Sequence, residues 1–163
     1  MFQYRPVKAD DFPIIASFPL NRTESFYMYP RGSYPLTAQQ LEEAAASRKK
    51  PTVITLDHEV VGYGNLYDVT SEDCWLGNVI VSPACRGRGA GRYLVNTMIR
   101  IAREELAVNH LRLVCHNTNT SALLMYMKLG FVPFGIKVVN DPEGKEMAGI
   151  LMQVNVHQPL KME

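Results

Sequence analysis

The chain has 163 residues, which suits one domain with a sizeable core, and it contains no internal repeat, linker or low-complexity tract. Apolar residues make up 47% of the sequence and charged residues 20%, an ordinary balance for a globular protein. The formal net charge of +1 provides no field for nucleic acid or an anionic membrane, so we expect neither partner and any basic site to be local.

The cysteines and the N-terminal residues indicate the compartment. Cys74, Cys85 and Cys115 are an odd number without a Cys-x-x-Cys motif, which argues against a disulfide framework and against a zinc site. The N-terminus does not resemble a signal peptide, and no apolar run approaches membrane-spanning length. The sequence therefore predicts a cytoplasmic protein with no bound metal.

The first elements are short. Phe2 to Val7 alternates like a strand, and Pro6 confines that strand to a sheet edge or a strand end. A short helix follows from Asp10 to Phe18. The segment from Leu20 to Pro35 is irregular and rich in aromatic residues, and two interpretations stay open. It is either a loop packed on the body by its own rings or a wall that covers a substrate.

A helix and a hairpin come next. Thr37 is placed to cap a helix that ends at Arg48, with Gln40 as its capping-box partner. Strands at residues 52–56 and 60–67 are joined by a tight turn.

The stretch from Cys74 to Gly91 predicts an anion site. It begins as a strand in which Gly77 marks a bulge, continues as the apolar run Val79-Ile80-Val81, and ends at a proline. A basic, glycine-rich loop then precedes a helix over residues 93–106. The loop and helix start consist of Arg86, Gly87, Arg88, Gly89, Ala90, Gly91 and Arg92. Exposed backbone N–H groups, a helix N-terminus and arginines together favour a phosphate or pyrophosphate.

Two familiar phosphate loops do not fit this stretch. The nucleotide P-loop needs a Lys-Ser or Lys-Thr pair after its last glycine, where this chain has Arg92-Tyr93. The dinucleotide fingerprint needs different glycine spacing, and no acidic residue ends the next strand, residues 111–115, to bind a ribose.

A second constellation follows the strand His110 to Cys115, which should run parallel to the strand before the loop. A helix is predicted from Asn119 to Leu129, with a glycine as its C-cap, and a hairpin of residues 131–139 and 147–156 ends the chain. This helix carries the pattern Asn119-x-x-Ala122-x-x-x-Tyr126-x-x-x-Gly130-Phe131.

These two motifs resemble those of the GNAT (GCN5-related N-acetyltransferase) superfamily. Arg86-x-x-Gly89-x-Gly91 is similar to its acyl-coenzyme A loop, and the second pattern is similar at every one of its positions. Both lie within residues 79–131, about a third of the chain. The resemblance implies a mixed α/β fold, with a central sheet of six to seven strands and about four helices, as a single N-acetyltransferase domain over residues 1–163.

The resemblance also assigns roles. It implies acetyl-CoA as co-substrate, with Val79, Ile80 and Val81 aligning its pantetheine arm and the loop through Arg92 holding its pyrophosphate. Asn119 would hydrogen-bond the coenzyme arm. Tyr126 would be the general acid that protonates the departing sulfur.

The general base is where this chain departs from the GNAT pattern that it resembles. Some GNAT members carry a glutamate on the strand before the loop, where this chain has Gly77, and the ribosomal-protein acetyltransferases carry one where this chain has Val114. The remaining candidates are Glu24, Asp68, Glu72, Asp73 and His116, or an ordered-water path to solvent. Cys85 lies in the pyrophosphate loop, far from the thioester, and is excluded as a covalent nucleophile.

The sequence thus predicts an enzyme that transfers acetyl from acetyl-CoA to a primary amine of a small molecule or a peptide by direct attack. The alternative is a catalytically idle acyl-CoA sensor. We expect the acceptor pocket between residues 26–34, the turn at 69–73 and the last hairpin. The acceptor's identity stays open, and so does assembly as a homodimer.

Overall fold

A computed structural model, which describes residues 1–159, places every strand in one seven-stranded sheet of order β1-β2-β3-β4-β5-β7-β6. The strands are β1 Phe2–Pro6, β2 Lys49–Leu56, β3 Glu59–Tyr67, β4 Asp73–Val81, β5 His110–His116, β6 Val132–Asn140 and β7 Glu146–Asn155. The helices are α1 Phe12–Ala16, α2 Arg22–Met28, α3 Ala38–Ala46, α4 Ala90–Glu104 and α5 Thr120–Lys128. No helix within residues 1–159 is long and apolar enough to cross a membrane.

The centre of the sheet is split. β4 and β5 run parallel, joined by the crossover helix α4, whereas every other neighbouring pair is antiparallel. β4 pairs with β5 only at Asp73–Trp75, opposite His110–Arg112, and the two strands separate beyond those residues. Unpaired strand edges in the middle of a sheet are open to a ligand, so this separation positions the site.

Helices cover both faces of the sheet. On one face, α4 and α5 pack on the central strands through a core that includes Leu94, Met98 and Leu111. On the other face, α1 and α3 pack on β2 and β3 around Phe12 and Tyr63. The middle strands β2 and β3 are therefore covered on both faces, whereas β6 at the sheet edge is exposed.

The sequence prediction missed one helix. The sequence predicts an irregular loop or wall over residues 20–35, but α2 lies within this segment, so residues 1–159 contain five α-helices. The side chain of Asn21 caps α2 by accepting a hydrogen bond from the Glu24 amide at 2.9 Å. Only seven residues long and followed by proline, α2 shows too few turns for a clear helical period.

Two local predictions have different outcomes. Thr37 caps α3 through the Gln40 amide, as expected, but the Gln40 side-chain oxygen accepts from the Ser33 N–H instead of completing a capping box. The bulge in β4 is confirmed: the register with β3 shifts, and Asn78 takes a left-handed backbone with φ of 53°.

Candidate active site

A cavity of about 1080 Å³ opens where β4 and β5 separate. Its walls are the end of β4, the glycine-rich loop, the first turn of α4, the start of α5 and one side of α2. Eleven of the twelve site residues predicted from sequence line it: Val79, Ile80, Val81, Arg86, Gly87, Arg88, Gly89, Gly91, Arg92, Asn119 and Tyr126. The twelfth, Ala90, is buried in the core beneath the loop.

The loop presents an uncapped helix N-terminus to this cavity. Gly89 is the N-cap residue of the 15-residue helix α4, so no side chain caps the helix, and its first turn contains no acidic residue. Gly87 and Gly89 have φ of 75° and 89°, a backbone that other residues rarely adopt. The N–H groups of the first turn lack helical acceptors and carry the positive end of the dipole. The arrangement is suited to an anionic group such as a phosphate.

Gly91 allows two helices to approach. A Cβ added at this position would lie 3.0 Å from the sulfur of Met125 on α5 and 3.7 Å from a methyl group of Val81. The absence of a side chain therefore lets the start of α4 lie close to both β4 and α5, which keeps the cavity walls together.

The Arg86 side chain is fully engaged within the protein. Its guanidinium forms a two-pronged ion pair with Glu24 of α2, at 2.8 and 3.0 Å, and its Nε donates to the Val81 carbonyl at 3.2 Å. Burial opposes ionisation of Glu24, but the hydrogen bonds from Arg86 and from the Leu20 amide outweigh it and lower the pKa of that carboxyl. Glu24 is therefore a structural anion rather than a ready proton acceptor.

Helix α2 bridges the two separated strands. On the β4 side, the Asn78 side chain donates to the Met28 carbonyl at 2.8 Å. On the β5 side, the Tyr27 hydroxyl is 2.7 Å from the Thr118 hydroxyl, and the His116 ring lies 4.7 Å from the ring of Phe26. Phe26 is buried, as expected for a segment packed on the body by its own rings, and Tyr27 lines the cavity, while its role as a wall over a substrate stays a prediction.

Tyr126 projects from α5 into the inner end of the cavity. It is 7% exposed, its ring packs edge-on against Phe131 at 5.5 Å, and its hydroxyl has no hydrogen-bond partner within residues 1–159. Burial, with a smaller contribution from Cys115, raises the pKa of this phenol, so it stays protonated at neutral pH. Tyr126 is thus a neutral hydroxyl that faces the cavity with its proton available.

Asn119 occupies the N-cap position of α5 without acting as a cap. Its side chain makes no capping hydrogen bond and lines the cavity. The side-chain amide of Asn119 is therefore not used as a cap and is available to a ligand.

The carboxylate candidates for the general base are engaged or distant. Glu72 accepts a hydrogen bond from Asn109 at 2.9 Å, Asp73 pairs with Arg112 at 3.4 Å, and Asp68 is exposed. These three residues are absent from the lining of the cavity.

His116 is the one imidazole among those candidates, and it is 5% exposed. Burial, with a contribution from Lys137, lowers the pKa of His116, so the ring is neutral at pH 7. The ring lies beneath the aromatic side chains of α2, outside the cavity lining.

A residue that sequence reasoning missed, Arg48, fills the space beside Gly77. A side chain added at Gly77 would overlap the Arg48 guanidinium, which stacks over the Tyr67 ring at 4.1 Å and donates to the Asn65 side-chain oxygen at 3.1 Å. The GNAT resemblance implies a glutamate at the position of Gly77 in some members, whereas this chain has a cation beside that position. No local signal could reveal it, since Arg48 follows α3 in the chain and reaches β4 across β3.

The cysteines are placed away from this chemistry. All three are free and buried, and the cavity lining includes none of them. Burial raises the pKa of Cys74 to about 12 and that of Cys115 to about 11, so neither is a thiolate at neutral pH. Within residues 1–159, no group of three or more His, Cys, Asp or Glu side chains could hold a metal ion.

Comparisons with known proteins place this geometry in context. The family model described as "Acetyltransferase (GNAT) family" matches residues 16–131. Spermidine N-acetyltransferase from Vibrio cholerae, solved with CoA and spermine, is 19% identical and superposes with a TM-score of 0.78 over 98% of this chain and 95% of its own.

Two further solved structures are similar in fold. The ribosomal-protein-S18-alanine N-acetyltransferase from Escherichia coli is 20% identical, with a TM-score of 0.73 over 98% of this chain and 96% of its own. The Salmonella typhimurium protein yncA, solved with its cofactor acetyl-CoA, is 17% identical, with a TM-score of 0.74 over the same shares of the two chains.

Proposed function

The chain belongs to the acetyltransferase (GNAT) family and is an acyltransferase, and from this premise we propose that it transfers the acetyl group of acetyl-CoA to a primary amine by direct attack. One observation carries the proposal: a single cavity contains an uncapped helix N-terminus, the open edge of β4 and a protonated tyrosine. The helix N-terminus would bind the pyrophosphate of an acyl-CoA, and the open edge of β4 would bind its pantetheine arm. The tyrosine would protonate its departing sulfur.

The coenzyme would lie along the cavity from the loop to Tyr126. Its pyrophosphate would accept hydrogen bonds from the backbone of Gly87 to Gly91 at the start of α4. Its pantetheine amides would pair with the backbone of Val79 to Val81, where β4 has left β5. Asn119 would donate to the same arm from the opposite wall.

The reaction balances with one proton moved. The amine lone pair attacks the thioester carbonyl, a C–N bond forms, and the tetrahedral intermediate collapses as the C–S bond breaks. Tyr126 donates its proton to the departing sulfur, and the proton lost by the nitrogen restores the phenol directly or through water. The products are the N-acetylated amine and free CoA thiol.

The incoming ammonium loses its proton to water rather than to a carboxylate in this proposal. The support is that Glu24 is held by Arg86, while Asp68, Glu72 and Asp73 do not line the cavity. The rate should then rise with pH as the neutral fraction of the acceptor amine rises.

Three wider statements belong to the same proposal. The whole chain acts as one N-acetyltransferase domain, since one sheet joins strands from residue 2 to residue 155. The acceptor is a small-molecule or peptide amine. The protein works in the cytoplasm, where its three free cysteines would stay reduced.

Binding and turnover together test the proposed function. We expect calorimetric titration to show one acetyl-CoA site per chain, and thiol release to follow when a panel of amines is supplied with acetyl-CoA. Binding without turnover on any amine would instead support the idle sensor. If NAD or ATP raises the melting temperature and acetyl-CoA does not, the coenzyme assignment is wrong.

We also propose that two copies pair through β6. This strand forms the outer edge of the sheet, and Ile136 and Val138 are 70% and 69% exposed. Their register partners, Ile150 and Ala148, place both side chains on one face. Antiparallel pairing of β6 with the same strand of a second copy would satisfy both edges around a two-fold axis.

Light scattering after size exclusion tests this assembly. Wild type should have the mass of a dimer, and the double substitution Ile136→Lys with Val138→Lys should give a monomer with a similar melting temperature. Leu20→Lys, at a 62% exposed position away from β6, is the control and should stay dimeric. A monomeric wild type at all concentrations tested would rule out the pairing.

A further inference from the structure

The Arg48 guanidinium lies on the face of the sheet opposite α4, outside the lining of the cavity but beside β4, which forms one of its walls. Arg48 lies in the turn between α3 and β2, and its head group crosses β3 to lie beside Gly77 of β4. Stacking on Tyr67 and the hydrogen bond to Asn65 fix its position. The cation is therefore held in place rather than free on a flexible stem.

The charge of Arg48 has no acidic partner among residues 1–159. The ion pairs formed there do not include it, although it is half-buried. Burial raises the pKa of Tyr67, and among the charges that act on this phenol two arginines, Arg48 and Arg31, outnumber one carboxylate, Asp68. By contrast, Arg112 on the same face of the sheet is paired with Asp73.

A guanidinium has five donor hydrogens, and the contact with Asn65 uses one of its nitrogens. Partial desolvation of a cation without an anion costs free energy, and a bound anion would recover it. Planar donors in a fork suit a carboxylate, which can accept two hydrogen bonds from them.

Aromatic rings continue from Arg48 across the same face. Tyr67 and Trp75 lie 6.3 Å apart, and Trp75 and Phe134 lie 6.4 Å apart. Trp75 is only partly buried, so this row of rings offers apolar contact to a molecule bound on this face of the sheet. A fixed cation beside an aromatic surface matches a ligand with an anion attached to an apolar body.

We propose that Arg48 is a specificity-determining residue that binds a carboxylate on the acceptor, so that the acceptors are amino acids or similar amines with an apolar body. This inference rests on the proposed function, because it concerns what receives the acetyl group. Gly77 precedes Val79 by two residues along β4, across the bulge. A carboxylate held beside Gly77 therefore leaves the amine, a few bonds away, near the thioester end of the cavity.

The same charge works against other acceptors. A polyamine would bring a second ammonium group close to Arg48, and the two positive charges would repel each other. Selectivity thus has an attractive part for the carboxylate and a repulsive part for the extra cation.

Matched acceptor pairs test the role of Arg48. kcat/KM is measured for L-leucine against L-leucinamide and for L-phenylalanine against L-phenylalaninamide, with spermidine as a third acceptor, in wild type, Arg48→Gln and Arg48→Lys. We expect Arg48→Gln to lower the carboxylate-to-amide ratio about 10- to 100-fold, the effect of one lost charge-assisted contact. Arg48→Lys should retain part of the preference. Differences in amine pKa cancel when the ratio for a variant is divided by that for wild type.

Arg100→Gln is the matched control. Arg100 is also half-buried and stacked on a tyrosine, at 5.2 Å from the Tyr4 ring, but it lies on α4, on the other side of the sheet. The carboxylate-to-amide ratio of kcat/KM in Arg100→Gln should equal that of wild type. A purely structural role for Arg48 would lower kcat/KM equally for both members of each pair.

The outcomes separate the two proposals. Turnover on amines with an unchanged carboxylate-to-amide ratio in Arg48→Gln overturns the role of Arg48 and leaves the proposed function intact. Wild-type preference for spermidine over every carboxylate acceptor does the same. Binding of acetyl-CoA with no turnover on any amine overturns both proposals.

Discussion

Replacing Tyr126 by phenylalanine should lower kcat by about 10²-fold or more while the affinity for acetyl-CoA changes little. The substitution removes the hydroxyl that donates a proton to the departing sulfur in the proposed mechanism. A thiolate must then leave without a proton donor, which raises the barrier of the step that breaks the C–S bond. Stopped-flow thiol release measures the first quantity, and calorimetric titration of acetyl-CoA measures the second.

Tyr126→Phe should disturb the surrounding structure little. The Tyr126 hydroxyl has no hydrogen-bond partner within residues 1–159, so its removal leaves no buried group unsatisfied. A phenylalanine ring keeps the edge-on contact with Phe131, and the melting temperature should stay near that of wild type. A loss of activity would therefore report chemistry rather than misfolding.

Tyr93→Phe is the control for Tyr126→Phe. Tyr93 makes a comparable ring contact, 5.5 Å to Phe2, and it lies outside the lining of the coenzyme cavity. The kcat of Tyr93→Phe should equal that of wild type. Equal turnover in both variants would remove Tyr126 from the mechanism.

The pH profile adds a second signature. Because burial raises the pKa of Tyr126, the phenol should remain protonated through neutral and mildly alkaline pH. The rate should then show no decline from ionisation of Tyr126 in that range, while it rises with the neutral fraction of the acceptor. A decline near the ordinary tyrosine pKa of about 10 would mean that the hydroxyl is better solvated than the structure indicates.

The elements that could be predicted from sequence are those whose signal is local. The strand, loop and helix of residues 79–106 carry their periodicity and their glycines in one continuous stretch, and so does the pattern from Asn119 to Phe131. The bulge in β4 was also visible, because a glycine interrupts an apolar strand.

Contacts between distant segments were not readable. The ion pair of Arg86 with Glu24 joins residues 62 apart in the chain, and it attaches α2 to the glycine-rich loop. Arg48 belongs to the same class, since only the order of β2, β3 and β4 brings it beside Gly77. Sequence patterns therefore described the proposed coenzyme side of the site, whereas the proposed acceptor side depends on long-range contacts.

Gly89→Asp tests the donor side and should weaken acetyl-CoA binding about 10- to 100-fold, the effect of losing one charge-assisted contact or more. The new carboxylate would lie at the N-cap of α4, where it competes for the backbone N–H groups that are proposed to bind the pyrophosphate. It would also repel that pyrophosphate, since both are negative.

Gly144→Asp provides a control matched in backbone strain. Gly144 has φ of 83° against 89° for Gly89, and an added Cβ would meet no atom within 4 Å, but it lies in the β6–β7 turn. Whatever aspartate costs in a left-handed backbone is shared by both variants, so the difference between them isolates the anion site. Calorimetric titration should find wild-type affinity for acetyl-CoA in Gly144→Asp and reduced affinity in Gly89→Asp. Equal affinity in the two variants would contradict the placement of the pyrophosphate at the start of α4, because a carboxylate cannot share those N–H groups with a bound phosphate without cost.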